Sequence, residues 1–279
     1  MIWILWVLLV ALLLALAGWY LLIETEGVYL GRRVVIWLYD LYAGRYDEIK
    51  DYEPHHEFLL LAVPLMNELR PQTDPLVLDV ATGTGRLPLA LLRHEQFSGQ
   101  VVGLDLSRRM LQQAASKLDD DLAHVDLVYA PAAPLPFPDS AFDAVTFLEA
   151  LEFVDDPQAV LAEIARVLRP GGVLLTTIRI NVHTMPGKLW TTERMRAELD
   201  MLGLAAIRFE PWQVEYSKVW AQKPGDGAPV GPQPLEQLLR CPACGRREFA
   251  FDAPAFVCDR CGQRVPVGAD GVVAWAGRM

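Results

Sequence analysis

The first 240 residues of the chain contain no cysteine, and the first 23 contain no charged side chain. The 279-residue sequence also lacks an excess of basic residues, since 25 Lys and Arg stand against 35 Asp and Glu. Nucleic-acid phosphates attract clustered Lys and Arg, so this balance argues against a nucleic-acid binder. Disordered chains have a low hydrophobic content, whereas 52% of the residues here are hydrophobic. We therefore expect one full folded domain with smaller additions.

The uncharged run from Met1 to Ile23 is predicted to be a membrane-spanning helix. At about 1.5 Å per residue it reaches roughly 35 Å, which crosses a hydrocarbon core of about 30 Å. Trp19 and Tyr20 suit the aromatic belt at the bilayer surface. A cleaved signal peptide is the alternative, because Ala15-Leu16-Ala17 resembles a cleavage box. The run is longer than most signal cores, however, and no Lys or Arg precedes it.

Basic residues follow the predicted span and place the body of the protein in the cytoplasm. Arg32, Arg33, Arg45 and Lys50 all lie on its C-terminal side, and the positive-inside rule assigns that side to the cytoplasm. Residues 24–54 form a predicted juxtamembrane helical segment. Within it, Val28 to Tyr46 is expected to be a second helix that lies along the bilayer or on the domain.

Residues 55–221 alternate short apolar runs with helical stretches. Five runs are predicted as strands buried on both faces: Leu76 to Val80, Val101 to Asp105, Asp126 to Tyr129, Asp143 to Leu148 and Val173 to Arg179. Helices are predicted at Arg86 to His94, Arg108 to Leu118 and Pro157 to Leu168, and two more β-rich stretches near Ala205 to Glu210 and Val214 to Ala221. This alternation predicts a doubly wound α/β fold, with a mostly parallel sheet of seven strands.

A linker and a small tail follow the predicted domain. The linker, residues 222–239, opens with four prolines and three glycines between Gln222 and Pro234, which cannot sustain a helix or a sheet. The tail, residues 240–279, is expected to be a separate small unit.

A glycine-rich turn follows the first predicted strand. Gly83 and Gly85 permit a tight turn where a ligand meets bare backbone, and the next helix begins with its amides directed at that ligand. The second strand ends in Asp105, whose carboxylate can accept hydrogen bonds from both hydroxyls of a ribose. A turn and an acid in two consecutive βα units indicate a nucleoside site.

The spacing Asp79-x-Ala81-x-Gly83-x-Gly85 departs from the dinucleotide pattern GxGxxG, because Ala81 holds the first glycine position and the third glycine is missing. It resembles motif I of the class I S-adenosylmethionine-dependent methyltransferases, particularly the branch related to ubiquinone and menaquinone biosynthesis. Three more segments are similar to that branch: Asp105-Leu106-Ser107 with Met110-Leu111, Leu135 to Asp143, and Val160 to Val173. Together they extend the resemblance over roughly Tyr46 to Ala221.

The resemblance implies a Rossmann-like fold and S-adenosylmethionine as the cofactor. It implies the following cofactor-binding residues: Asp79, Ala81, Gly83, Gly85, Asp105, Leu106, Met110, Ala132 and Leu148. One segment departs from the family, because an acid that contacts the adenine amino group is replaced within Ala130-Pro131-Ala132-Ala133-Pro134. Loss of one hydrogen bond to a charged acceptor costs about 1.5–3 kcal/mol of affinity.

Methyl transfer depends mainly on alignment of donor and acceptor, so a catalytic acid or base is optional. Glu149 and Glu152, after the fourth strand, and His183, after the fifth, are the candidates that lie where ligands bind in open α/β sheets. A solvated helix start or a capping role is the alternative for the two glutamates, and a structural role is the alternative for the histidine.

All four cysteines lie in the tail, as Cys241-x-x-Cys244 and Cys258-x-x-Cys261. Two such hairpins can offer four thiolates in a tetrahedron, and the glycine after each one allows a turn that directs amides toward sulfur. The tail is therefore predicted to be a zinc ribbon with a structural metal. Two disulfides are the alternative, which would need an oxidising compartment.

The sequence thus predicts a membrane-anchored methyltransferase with a small hydrophobic or lipid-like acceptor. Two rivals stay open: a catalytically silent scaffold whose zinc ribbon recruits a protein partner, and an RNA methyltransferase whose ribbon holds its substrate. The missing adenine acid favours the scaffold, whereas Asp79, Gly83, Gly85 and Asp105 oppose it.

Overall fold

The computed structural model describes residues 2–118, 123–180 and 185–275. The strands, in chain order, are β1 (Leu76–Val80), β2 (Gln100–Asp105), β3 (Val125–Tyr129), β4 (Phe142–Phe147), β5 (Leu168–Arg179), β6 (Ala205–Pro211), β7 (Tyr216–Gln222), β8 (Phe249–Asp252), β9 (Ala255–Cys258), β10 (Arg264–Pro266) and β11 (Val273–Ala274). The α-helices are α1 (Ile2–Trp19), α2 (Arg32–Tyr42), α3 (Tyr46–Ile49), α4 (Pro54–Glu57), α5 (Val63–Glu68), α6 (Arg86–Leu92), α7 (Arg108–Lys117), α8 (Pro157–Val167), α9 (Thr192–Met201) and α10 (Leu235–Leu238).

An eight-stranded sheet of order β11-β3-β2-β1-β4-β5-β7-β6 forms the centre of the protein. Strands β1 to β5 are parallel, whereas β7 runs antiparallel to both β5 and β6. The predicted Rossmann-like fold and its seven strands are confirmed. The eighth strand is an addition that the sequence did not indicate, because the two-residue β11 comes from the tail.

Both faces of the sheet are covered, as strands with apolar side chains on both faces require. Leu76 and Leu78 face one hydrophobic cluster together with Leu161 of α8. Val77 faces a second cluster, which includes Leu111 of α7. Because side chains alternate along a strand, helices on both sides are needed to bury them.

The segment between α1 and the domain is broken into short helices rather than forming one second helix. Gly31 adopts φ +91°, a backbone angle that interrupts a right-handed helix, and α2 begins at the next residue. The 3-10 turn Ala43–Arg45 then redirects the chain into α3. These breaks fold the segment over the carboxyl ends of β1 and β2.

The helix Ile2–Glu24 is long and apolar enough to cross a membrane, and none of its most apolar stretch is buried within the protein. It comprises α1 and a wider π turn at Tyr20–Glu24.

The linker and the tail pack against the domain. The backbone amides of Val230 and Gly231 donate hydrogen bonds to the buried carboxylate of Asp143, at 2.9 and 3.1 Å. In the tail, β8, β9 and β10 form a small antiparallel sheet, and Val273 of β11 pairs in parallel with Val128 of β3. The tail therefore shares a hydrophobic core with the domain, although its composition suggested a separate unit.

Candidate active site

A cavity of about 290 Å³ lies at the carboxyl ends of β1, β2 and β4. Its floor includes Gly83 and Asp105, and one wall is the apolar segment from Ala130 to Ala133. A second cavity of about 50 Å³ lies on the other side of the Gly83 turn and is bordered by Asp79 and Arg86. Both cavities share Gly83, so the turn separates two adjoining compartments.

The three positions of the glycine turn have different tasks. Ala81, Gly83 and Gly85 have φ of 57°, 55° and 77°, the left-handed region. A Cβ added to Gly83 would meet nothing within 4 Å, so only its backbone angle favours glycine at this position. A Cβ on Gly85 would come within 3.2 Å of the Cβ of Ala114, so this glycine also allows α7 to pack closely.

Asp105 presents a half-buried carboxylate at the floor of the larger cavity. Its oxygens accept hydrogen bonds from the backbone amides of Gly83 at 2.8 Å and Ser107 at 2.7 Å. Burial raises the pKa of Asp105 to about 6, and the amides partly offset the shift. The two amides link the ends of the first two βα units and orient the acid toward the cavity.

Asp79 acts behind the glycine turn rather than in the larger cavity. Its carboxylate accepts hydrogen bonds from Thr82 Oγ1 at 2.7 Å and Thr146 Oγ1 at 2.6 Å. Burial raises its pKa to about 6, and these hydroxyl donors oppose the rise. It therefore fixes the shape of the turn and joins β1 to β4.

The other predicted cofactor residues divide into cavity walls and support. Leu106, Ala132 and Leu148 line the larger cavity, as does Ala81. Met110 is fully buried in α7 and is not among the lining residues. The apolar wall from Ala130 to Ala133 carries no carboxylate, as its sequence requires.

The two candidate glutamates occupy different environments. Glu149 borders both cavities, and its Oε1 and Oε2 lie 3.8 Å from Arg86 and 3.9 Å from Lys50. Its φ of 51° is strained for a residue with a side chain, and its amide donates to Thr177 Oγ1 at 2.7 Å.

Glu152 lies away from both cavities. Its carboxylate accepts a 2.6 Å hydrogen bond from the hydroxyl of Tyr216 and lies 3.8 Å from Arg179. Burial raises its pKa, and the Tyr216 bond and Arg179 oppose the rise. The third candidate, His183, lies outside the described residues.

The juxtamembrane segment completes the site from above, which motif analysis did not anticipate. Asp40 accepts a 2.6 Å hydrogen bond from the hydroxyl of Ser107, at the start of α7. Asp47 accepts a 2.6 Å bond from Thr84 Oγ1 in the glycine turn, and Lys117 donates to it at 2.5 Å. In the sequence, Asp40 and Asp47 come after the apolar helix α1 and resemble surface charges. Only the fold shows that they contact Ser107 and Thr84 at the site.

The four cysteines of the tail form a compact cluster. The Sγ atoms of Cys241 and Cys261 lie 3.6 Å apart, those of Cys244 and Cys258 lie 3.7 Å apart, and all four lie within 4.8 Å of one another. A tetrahedral site with Zn–S bonds of about 2.3 Å has sulfur–sulfur edges of about 3.8 Å. Both the donor set and the spacing therefore fit a zinc ion, and the cysteines form no disulfide.

Each cysteine hairpin turns through a glycine. Gly245 and Gly262 have φ of 72° and 71°, and their amides donate to the carbonyls of Cys241 and Cys258, both at 2.8 Å. The two hairpins thus repeat one geometry, which directs backbone amides at the sulfurs.

Comparison with known sequences supports the assignment of the domain. Residues 78–176 match the family described as a methyltransferase domain. The chain is 32% identical over 133 residues to demethylmenaquinone methyltransferase of Staphylococcus saprophyticus, covering 48% of this chain and 57% of that protein. It is 46% identical over 97 residues to the ubiquinone/menaquinone biosynthesis C-methyltransferase of Desulfotalea psychrophila, covering 34% and 38% respectively. The chain thus spans about half of these curated relatives, or less.

Solved structures agree on the fold. A methyltransferase of Aquifex aeolicus that depends on S-adenosylmethionine gives a TM-score of 0.51 at 22% identity, covering 62% of this chain and 95% of that one. A complex between a methyltransferase activator and a methyltransferase of Haloferax volcanii gives 0.54 at 22% identity, covering 67% and 98%. At this identity the likeness extends to the fold alone.

Proposed function

We propose that this chain methylates a small hydrophobic acceptor at a membrane surface. The premise is that it belongs to the class I S-adenosylmethionine-dependent methyltransferases and is related to their quinone-biosynthesis branch. The observation that carries this proposal is the composition of the cavity. The floor is the family's nucleoside-binding acid and glycine turn, and the roof is the segment that follows the candidate membrane span.

The two compartments around Gly83 fit the two parts of the cofactor. Asp105 at the floor of the larger one would accept the ribose hydroxyls, with the adenine against Leu106 and Ala132. The smaller compartment, bordered by Asp79 and Arg86, has the charged groups for the amino acid part. When bound, S-adenosylmethionine supplies a methyl group on a positively charged sulfur, and the S–CH₃ bond breaks as the acceptor's electron pair forms the new bond.

Glu149 is our proposal for the residue that handles the acceptor's proton. It borders both compartments, and Arg86 and Lys50 lie close to its carboxylate. A carboxylate there can accept the proton that the acceptor loses. We expect Glu149→Gln to lower kcat by about 10²-fold with an unchanged affinity for the cofactor. Glu152→Gln is the matched control, since Glu152 contacts Tyr216 rather than the cavity.

Three further features extend the proposal. The helix Ile2–Glu24 would anchor the protein as a single span, with the catalytic domain in the cytoplasm. A structural zinc would bind the four cysteines, in keeping with a reducing compartment. The acceptor would have a quinone-like ring or another lipid-like structure, since the relatives are named for quinone methylation.

Transfer of labelled methyl groups from S-adenosylmethionine into a membrane lipid extract tests the function directly. We expect label in the lipid fraction with the full-length protein, and about a tenfold to hundredfold loss for Asp105→Ala, which removes one charged hydrogen-bond acceptor. Label in RNA or protein would show that the acceptor is RNA or protein rather than a lipid-like molecule. Absence of cofactor binding by calorimetry would support the scaffold alternative.

A further inference from the structure

An apolar groove of about 340 Å³ lies between the end of the candidate membrane span and the active-site cavity. Leu22 and Ile23, near the end of the span, form one side of the groove. Leu38 of α2 and Ile49 of α3 contribute further apolar surface. The groove therefore begins at the end of the candidate span, where that helix would leave a bilayer.

Two tyrosines separate this groove from the active-site cavity. Tyr39 and Tyr46 border both spaces. Their ring centroids lie 5.8 Å apart, and the Tyr39 ring also packs edge-on against Phe153 at 5.8 Å. Tyr39 and Tyr46 therefore form a wall of side chains that the groove and the cavity share.

The groove has a polar end next to the proposed catalytic glutamate. Glu26 accepts a 2.9 Å hydrogen bond from the hydroxyl of Tyr39, and Lys50 lies 3.8 Å from Glu26 and 3.9 Å from Glu149. The remaining walls are aliphatic and aromatic. This division matches a molecule with a polar head at the cavity and a hydrocarbon tail in the groove.

The outer rim of the groove exposes apolar side chains that water does not favour. Ile23 is 52% exposed, Ile49 is 54% exposed and Tyr42 is 37% exposed. They continue the apolar surface of α1, every described residue of which is at least partly exposed. A bilayer surface would cover such a rim, and would place its dissolved lipids at the entrance.

We propose that the groove holds the hydrocarbon tail of a membrane-dissolved acceptor, which enters from the bilayer while its head group reaches Glu149 past Tyr39 and Tyr46. The inference rests on the proposed function and adds the path by which the acceptor arrives. It assigns the juxtamembrane segment a role in acceptor selection, since a molecule without a tail gains nothing from the groove.

The experiment uses the full-length protein in phosphatidylcholine vesicles and a reduced naphthoquinone whose alkyl tail carries a photoreactive diazirine. After irradiation, mass spectrometry maps the labelled residues. We expect labels on groove residues such as Leu38, Tyr42 and Ile49. Labels confined to the lipid-facing side of α1, or to the domain surface, would overturn the proposal whether or not the quinol is methylated.

A blocking variant gives a second, kinetic readout. Ile49→Trp adds bulk at the exposed rim, and Leu41→Trp is the matched control, since Leu41 is 53% exposed on the same segment and does not border the groove. We expect Ile49→Trp to raise KM at least fivefold for an octaprenyl naphthoquinol and to leave KM for the ethyl analogue unchanged. An equal effect on both quinols contradicts the groove. Failure of both quinols to accept a methyl group counts against the proposed function instead, and the labelling pattern still decides the groove.

Discussion

The first turn of α7 is held from two sides, by Asp40 of the juxtamembrane segment and by Asp270 of the tail. Asp40 binds the hydroxyl of Ser107, which lies in the active-site cavity. Asp270 binds the guanidinium of Arg108, at 2.7 and 2.8 Å, and Arg108 is not among the lining residues of the cavity. The juxtamembrane segment and the tail thus dock on one helix, but among the described residues only the juxtamembrane segment lines the cavity.

The other contacts of the juxtamembrane segment and of the tail with the domain differ in the same way. The juxtamembrane segment docks through polar contacts with the site, such as Asp47 with Thr84, and buries few apolar side chains. The tail docks through apolar side chains that join the domain core and through β11. Polar contacts at a site are weak individually and easily rearranged, whereas a shared core resists opening. We infer that the N-terminal segment serves ligand binding and the tail serves stability.

Removal of the zinc that we propose at the four cysteines is expected to have the largest effect. Zinc binding contributes roughly 10–16 kcal/mol in small zinc modules, so chelation or Cys258→Ser should unfold β8 to β10. Hydrogen exchange over the tail and the zinc content by mass spectrometry measure this loss. Affinity for S-adenosylmethionine should change less than threefold.

The control for this experiment is Asp259→Ser, an exposed residue of the same hairpin that is not a ligand. It should keep both the zinc and the tail. If loss of the metal abolished cofactor binding as well, the division between the two ends would fail.

The next largest effect is a pH dependence of cofactor affinity, caused by Asp105 at the cavity floor. The pKa of Asp105 is about 6, so at pH about 5 only about a tenth of the free protein has this carboxylate ionised. Ribose hydroxyls donate to the ionised form, so affinity should rise about tenfold from pH about 5 to about 7. Calorimetry over this range measures it, and Asp105→Asn should flatten the profile. A profile unchanged in that variant would assign the titration to Asp79, whose pKa is also about 6.

Asp40 and Asp270, which both bind the start of α7, allow a direct test of the comparison. Asp40→Asn weakens a half-buried, charge-assisted bond to Ser107 and should lower cofactor affinity about fivefold, near 1 kcal/mol. Asp270→Asn breaks a partly exposed ion pair and should cost at most about 1 kcal/mol of unfolding free energy. Calorimetry and thermal unfolding on both variants separate the effects. The opposite pattern, with cofactor affinity lost in Asp270→Asn alone, would reverse the roles of the two ends.

Sequence patterns were sufficient for the parts of the structure that depend on local chemistry. The strand Leu76–Val80 matches its prediction at both ends, because Pro75 and the glycine turn bound a short run in which every residue except Asp79 is apolar. The contacts of Asp40 and Asp270 could not be predicted, because each joins residues more than 60 positions apart. The two-residue β11 carries no periodic signal, and β3 determines its position.

The candidate site shows the same limit. Motif spacing predicted that Asp105 and Gly83 bind the cofactor, and both residues line the cavity. It could not separate Glu149 from Glu152, since the turn Leu151–Phe153 rotates the second carboxylate away toward Tyr216. Spacing also gave Gly85 a role toward the ligand, whereas its missing side chain also serves the packing of Ala114.

The smallest expected effect concerns the strain in the glycine turn, within the domain that both ends flank. Ala81 has φ 57°, which costs a residue with a Cβ about 1–2 kcal/mol. Ala81→Gly removes that strain, and the greater entropy of glycine in the unfolded chain offsets about 0.5–1 kcal/mol. The unfolding free energy should therefore rise by about 0.5–1 kcal/mol, measured by urea denaturation of the full-length protein in detergent. Gly83→Ala should do the reverse, because it introduces the same strain at φ 55° where an added Cβ meets no steric barrier. If Ala81→Gly were destabilising, the contacts of the Ala81 methyl group would outweigh the backbone strain, and the turn would be held by packing, as the tail is.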